Sequence, residues 1–327
     1  MAFSAETKVF TDKGWKSIAD ISGKDRVLVR NFLGDAEFRQ PFYLKKKEYD
    51  GEIVNFGSKY WAVSVTPEHQ IVYDGEREPT LAQDVTVDRH RLLFRKFRYT
   101  REDKAKEILI LKNGDSHRYV SISDEDWYTV VAFAVTKGYI SKDKNPRLKF
   151  FVNMDNLLPL VDVLDRWGIS WTSRNVDGNI ALTVNRDNNL ARKLKVFLGA
   201  RARRDMRLPK KMLYSSSQGL MKHFLGTVTT LTAKPSQKRP KQLIFTSYNT
   251  KLIESLRLMC MLVGYGFSSS RNVNGEHVAY ILPTTVSPWS VRFIEKKTYS
   301  GYIYEIGLFE GLVYVTEKSL PVWMSPK

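Results

Sequence analysis

The sequence has a single cysteine, Cys260, which excludes an internal disulfide. Its place inside the apolar run 256–263 marks it as a buried structural thiol. Histidine is nearly as scarce. His69, His90, His117, His223 and His277 lie far apart, no two at ligand spacing, so they form no metal site. No P-loop, GxGxxG or CxxC pattern occurs, which removes several common enzyme classes. No low-complexity tract suggests disorder. Apolar runs of about 18 residues are missing, as is the apolar core of a signal peptide. A soluble intracellular protein, in the cytoplasm or the nucleoid or nucleus, is therefore expected.

Acidic residues also fall short. Lys plus Arg number 52 against 35 Asp plus Glu, a net charge of +17. That excess repels itself unless a polyanion neutralises it, so double-stranded DNA is the leading partner. A solvated basic surface is the alternative, and structured RNA or a host protein assembly remain open. No basic amphipathic helix flanked by aromatics argues for a membrane. What is present suffices for real cores: 327 residues, 43% of them apolar, fit two or three domains.

Residues 1 to about 110 read as short strands. Thr7-Lys8-Val9-Phe10-Thr11 reads as a strand, Asp12-Lys13-Gly14 supplies a turn, and 26–30, 52–56 and 61–66 are further strands. Few helical patterns intervene, so a small all-β unit is expected. Ala2-Phe3-Ser4-Ala5-Glu6-Thr7-Lys8-Val9 with Gly14-Trp15-Lys16-Ser17-Ile18 resembles the opening block of an intein (Hint-fold) splicing domain. Val65-Thr66-Pro67-Glu68-His69 resembles its Thr-x-x-His block. Gly301-Tyr302-Ile303-Tyr304-Glu305-Ile306, Val313-Tyr314-Val315 and Pro321-Val322-Trp323-Met324 resemble its closing strands. The resemblance implies an all-β horseshoe built from both chain ends around an insertion. It also implies a first-residue nucleophile, a Thr and His that polarise the scissile amide, and a cyclising Asn. Here Ala2 stands at the nucleophile position and Pro326 at that of the Asn, with Thr66 and His69 retained.

The middle of the chain changes character. Small and apolar residues mark a helix from Trp127 that ends at Gly138, followed by a strand over 147–152. A helix over 156–167 has Pro159 in its first turn. A hairpin then turns at Val176-Asp177-Gly178, and a helix over 190–198 ends at Gly199. The order recurs with a small-residue helix from Gly219 to about Thr229, a strand over 242–247 and a helix over 251–263. Its hairpin turns at Ser270-Arg271-Asn272-Val273-Asn274-Gly275, which nearly repeats Ser173-Arg174-Asn175-Val176-Asp177-Gly178. An internal duplication is the reading that accounts for both.

Two such copies in a basic protein resemble the LAGLIDADG homing endonuclease family, often inserted in inteins. The resemblance implies two helices packed closely across a pseudo-twofold, and an acid at each helix end holding divalent metal. It also implies curved sheets that read the DNA major groove. Lys137 and Val228 fall at the acid positions, and no Asp or Glu lies between Gln218 and Thr250. Candidate base-reading residues are Arg147, Lys149, Arg174, Thr183 and Asn185 on the first sheet, with Thr246 and Arg271 on the second. Arg203, Arg204, Lys234, Lys238, Arg239 and Lys241 are candidate phosphate contacts in loops. The basic-aromatic stretch 91–101 is a further candidate.

The expected fold class is α+β: an all-β Hint horseshoe with an inserted, pseudo-twofold duplicated αββαββα LAGLIDADG domain. The expected boundaries are 1–115 and 293–327 for the Hint parts. The insertion takes 116–292, with repeats at about 125–199 and 215–285. Two functions follow. One is an intein- and endonuclease-derived DNA-binding monomer that has lost splicing and cleavage and needs no cofactor. The alternative is an active or deliberately inactivated homing endonuclease, with Mg²⁺ required only if cleavage is retained.

Overall fold

The computed structural model describes residues 2–31, 33–59, 61–74, 78–87, 92–93, 98–99, 107–113, 116–185, 189–199, 206–214, 216–232, 234–235, 242–285, 289–318 and 320–326. The chain forms two compact units, 1–100 with 286–327, and 101–285.

Among its described residues the first unit's regular structure is all strand apart from two short 3-10 turns, and the two chain ends interleave in it. The short Phe3–Ser4 strand pairs with Phe293–Gly307 on one side and, through Phe3 and Val65, with Ala62–Val65 on the other. Tyr43–Gly57 completes this ring, so the four strands close a barrel. The cause is local: one residue pair at Phe3 bridges what would otherwise be two free edges. A seven-stranded sheet accompanies it, in which Lys8–Thr11 and Val27–Arg30 pair with Leu312–Thr316. The core between these strands holds Phe3, Val9, Phe56, Trp61, Val63, Ile306, Val313 and Met324, each at most 2% exposed.

A repeat with a 250-residue offset underlies this unit. Residues 43–66 and 293–316 align without a gap and share nine identities among 24 positions, Tyr49/Tyr299, Gly51/Gly301, Ile53/Ile303 and Thr66/Thr316 among them. The two long strands pair with each other about Asp50 and Ser300, the point where position and repeat partner coincide. Each tyrosine lies opposite the other copy's glycine, and Tyr49 and Tyr299 each donate to a backbone carbonyl three residues on, at 2.8 Å. Each ring lies over the glycine two residues on in its own strand, Tyr49 over Gly51 and Tyr299 over Gly301, and restores packing that the glycine lacks.

The second unit carries six helices among its described residues: α1 Asp124–Thr136, α2 Leu158–Arg166, α3 Leu190–Phe197, α4 Lys210–Tyr214, α5 Gln218–Thr232 and α6 Thr250–Val263. Ser123 caps α1 by accepting from the Asp126 N–H at 3.1 Å, and three acids in the first turn favour its positive end. The 127–136 stretch of α1 is buried throughout. The first copy runs α1, strands Gly138–Ile140 and Leu148–Val152, α2, strands Trp171–Val176 and Asn179–Val184, then α3. The second runs α5, strands Lys234–Pro235 and Leu243–Ser247, α6, then strands Tyr265–Arg271 and His277–Thr285. Among the described residues the last helix of the expected αββαββα order does not follow. Each copy yields a four-stranded antiparallel sheet with the same strand order.

α1 and α5 pack together, but not through matched glycines. Thr129 Oγ1 lies 2.8 Å from His223 Nε2, Tyr128 is hydrogen-bonded to Ser216, and the Tyr128 and Phe224 rings meet edge to face at 6.3 Å. Phe133 and Phe224 are fully buried, each contributing about 1.5–3 kcal/mol. Gly226 faces solvent, and a Cβ there would meet nothing within 4 Å. Gly226→Ala is therefore expected to stabilise the protein by about 1 kcal/mol, read as a raised urea midpoint. Gly138 is the opposite case. A Cβ would come within 2.5 Å of the Ala134 carbonyl oxygen, because the chain doubles back onto α1 as it enters the next strand.

Candidate nucleic-acid interface

In the first sheet of the second unit, Lys149 stands opposite Tyr139 and Thr183, and Thr183 opposite Thr172. The next row on the same face is Phe151, Ala181 and Arg174. The other face carries Leu148, Phe150, Leu182 and Val184, each at most 2% exposed. Sheet parity thus puts Lys149, Thr183 and Arg174 on the outer face. Arg147 and Asn185 share that parity just beyond their strand ends, and both are exposed. The loop bearing Arg147 is closed by its own N–H donating to Ser141 Oγ at 2.8 Å. It is pinned by α3, where Arg192 bonds Asn145 and Lys195 bonds the Lys142 and Asp143 carbonyls. Asn185 is tied down in part, since its side-chain amide donates to Ser170 Oγ at 3.3 Å.

The second sheet departs from expectation. Thr246 is exposed on its outer face, in the row of Val278 and Ser270. Arg271 pairs with His277 and belongs to the opposite parity, that of the buried Phe245 and Ala279. The repeated hexapeptide closes two different loops. In the first copy Asp177 and Gly178, at φ 50° and 76°, form a two-residue turn between Val176 and Asn179. In the second the Asn272 N–H donates to the Glu276 carbonyl at 2.9 Å, so the loop is longer. A one-residue slip in register moves every side chain to the other face, which separates Arg271 from its counterpart Arg174.

The carried-over acid positions also separate. Lys137 is the C-cap of α1, at the helix–strand junction. Val228 is fully buried in the interior of α5, which continues to Thr232 before the strand resumes at Lys234. The junction in the second copy therefore falls after Thr232, not at Val228. Only the backbone of Lys234 is described, and Arg203, Arg204, Lys238, Arg239 and Lys241 lie outside the described residues, as does most of 91–101. Among the described residues no three His, Cys, Asp or Glu side chains are grouped as ligands for a metal. A lysine and a buried valine do not fit the carboxylate cage that Mg²⁺ requires.

In the first unit Ala2 and Thr66 form a buried pair. The Ala2 N–H donates to Thr66 Oγ1 at 3.1 Å and the Thr66 N–H returns a bond to the Ala2 carbonyl at 3.0 Å. His69 is fully buried and packs edge-on against Phe3 at 4.8 Å. Burial lowers its pKa to about 3, against the opposing pull of the Ser325 and Ala2 carbonyls and Glu68. The imidazole is neutral at pH 7. Ser325 and Pro326 are buried, and Cys260, in α6, is a fully buried thiol whose pKa burial raises.

No family model matches the chain, and no curated protein sequence matches it. Solved structures do. The homing endonuclease I-DmoI in complex with DNA and Mn aligns at 14% identity over 48% of this chain and 89% of its own, with a TM-score of 0.38. Full-length DUF199/WhiA from Thermotoga maritima aligns at 10% identity over 49% of this chain and 51% of its own, with a TM-score of 0.37. The N-terminal LAGLIDADG domain of DUF199/WhiA gives 10%, 48%, 75% and 0.36.

Sequence reasoning missed three features. The exposed aromatics Tyr139 and Phe151 were legible as strand alternation, but not as an outer face until the pairing was known. Glu317, whose partners lie in the N-terminal segment, had no local signature. The repeat at a 250-residue offset was detectable by self-comparison of the chain. Among the described residues no helix is long and apolar enough to cross a membrane.

Proposed function

We propose that this chain is a LAGLIDADG-type DNA-binding protein in which neither DNA cleavage nor splicing persists. The observation that carries the binding is the outer face of the first sheet, where Arg147, Lys149, Arg174 and Thr183 share one side. Among the described residues none of Arg147, Lys149 and Arg174 has an acidic partner within ion-pair distance, so their charge is available to phosphate. The +17 excess supplies the long-range attraction. Loss of cleavage rests on Lys137 and on the lack of any Asp or Glu between Gln218 and Thr250.

The first unit is read as a Hint-type domain that keeps the polarising pair and lacks the reacting groups. Thr66 brackets residue 2 on both its N–H and its carbonyl, which is how a scissile peptide would be held. Ala2 offers no nucleophile.

The test is titration of mixed-sequence duplex DNA at several salt concentrations. Affinity is expected to fall linearly on a log–log salt plot, and Lys149→Ala and Arg174→Ala each to reduce the slope by about one. Salt-insensitive or absent binding sinks the reading. Incubation with Mg²⁺ or Mn²⁺ is expected to leave bound duplex intact, and a clean double-strand cut would overturn the assignment.

A further inference from the structure

The outer face of the first sheet is not only basic. Tyr139 is 50% exposed and Phe151 43% exposed, on neighbouring strands and the same side as Lys149. The arrangement alternates: Tyr139 stands opposite Lys149, and Phe151 donates its N–H to the carbonyl of Lys137 one row on. Diagonal neighbours of this kind are about 7–8 Å apart, close enough for two rings to serve consecutive nucleotides. Beyond Phe151 the row continues with Ala181, too small to cover a ring, and then Arg174. Two exposed rings on a hydrated sheet expose apolar area that a paired duplex does not cover. Its bases are stacked inside and show only their edges. Unpaired bases present π-faces, and proteins that hold single strands combine cationic tracks with aromatic platforms. The outer face of the second sheet carries a single aromatic among its described side chains, Tyr280, with Ile244, Thr246, Val278, Leu282 and serines.

We propose that the outer face of the first sheet binds unpaired DNA, its bases stacked on Tyr139 and Phe151 and its phosphates held by Arg147, Lys149 and Arg174. This rests on the nucleic-acid-binding reading above and narrows it to a strand, or to a duplex carrying an opened stretch.

The experiment compares three probes with the full chain by fluorescence anisotropy: a mixed-sequence strand of about 30 nucleotides, its full duplex, and that duplex with about six central mismatches. The strand and the bubbled duplex are expected to bind about tenfold tighter than the full duplex at equal salt. Tyr139→Ala and Phe151→Ala are each expected to weaken strand binding about tenfold with the salt slope unchanged, and Tyr139→Phe to restore it. Both rings are exposed, so the variants should unfold at the wild-type urea midpoint. A full duplex bound as tightly as the strand overturns the proposal while leaving DNA binding intact. An RNA strand of the same sequence bound about tenfold tighter than DNA overturns the assignment to DNA. Absence of binding to every probe at low salt sinks the parent reading and this one with it.

Discussion

Glu317→Ala is expected to lower the stability of the first unit by about 3–5 kcal/mol, while Glu317→Gln costs about 1 kcal/mol. The carboxylate sits between the chain ends and accepts four bonds. Ser4 Oγ, Thr7 Oγ1 and the Ser64 N–H reach Oε1 at 3.0, 3.0 and 2.7 Å, and Ser64 Oγ reaches Oε2 at 2.9 Å. Those donors are buried, with Ser4, Thr7 and Ser64 at most 4% exposed. Alanine would leave them without an acceptor, and each orphaned buried donor costs about 1–3 kcal/mol. Glutamine keeps the Oε1 acceptor with three donors on it. Its amide group replaces Oε2 and cannot accept from the Ser64 hydroxyl, so that one bond is lost. Urea unfolding of both variants decides it. Equal effects from alanine and glutamine would mean that the carboxylate is held by packing rather than by its hydrogen bonds.

The Glu317 network shows where sequence reading stops. Its partners Ser64 and Ser4 lie 253 and 313 residues away in the chain, so no window of sequence contains the site. Local features fared differently. The helix from Trp127 was legible from its run of small and apolar residues, with its end near Gly138; it stops at Thr136 because the chain turns sharply back there. The Asp177-Gly178 turn was legible because only a pair tolerant of positive φ fits a two-residue hairpin. The same hexapeptide misled at Arg271. Its residues specify a turn but not the loop length, and one extra residue decides the face. α5 misled in another way. The family resemblance implied small residues where two helices nearly touch, whereas the buried residues of α5 include Met221, Phe224, Leu225 and Val228. Composition gave the glycines, and only three-dimensional phase around the helix shows that Gly226 faces water. For the candidate interface, the residue types were legible as basic and polar strand positions. Their shared face followed from parity in the first sheet and failed in the second.

The second large effect is a loss of stability on mild acidification. His69 is neutral in the fold, with a pKa lowered to about 3 by burial, against an ordinary value of 6.5. Above pH 6.5 the ring is neutral in both folded and unfolded chains, so the group's contribution is fully present there. As pH falls below 6.5 the unfolded chain takes up a proton that the folded chain refuses, and stability drops by about 1.4 kcal/mol per pH unit for one proton. The decline continues toward pH 3, where the folded ring protonates too. Asp25 falls in a lower window. Burial would raise its pKa, but bonds from Lys16, Ser22 and Lys13 hold it well below the carboxylate range. Its contribution is therefore lost only once pH falls below the ordinary carboxylate value, about 3.9. Glu68 and Glu305 are likewise held low and begin to contribute near pH 4.5, so among the described groups with a lowered pKa His69 sets the slope between about pH 6.5 and 5, where roughly 1.5–2 kcal/mol should be lost. His69→Leu is expected to flatten the slope in that window whatever its effect at pH 7. Urea titrations of the two proteins at half-unit steps measure the difference directly. Parallel slopes for wild type and variant would show that the unfolded chain's extra proton binds elsewhere, and that the buried ring beside Ala2 and Ser325 is not the neutral imidazole its surroundings require.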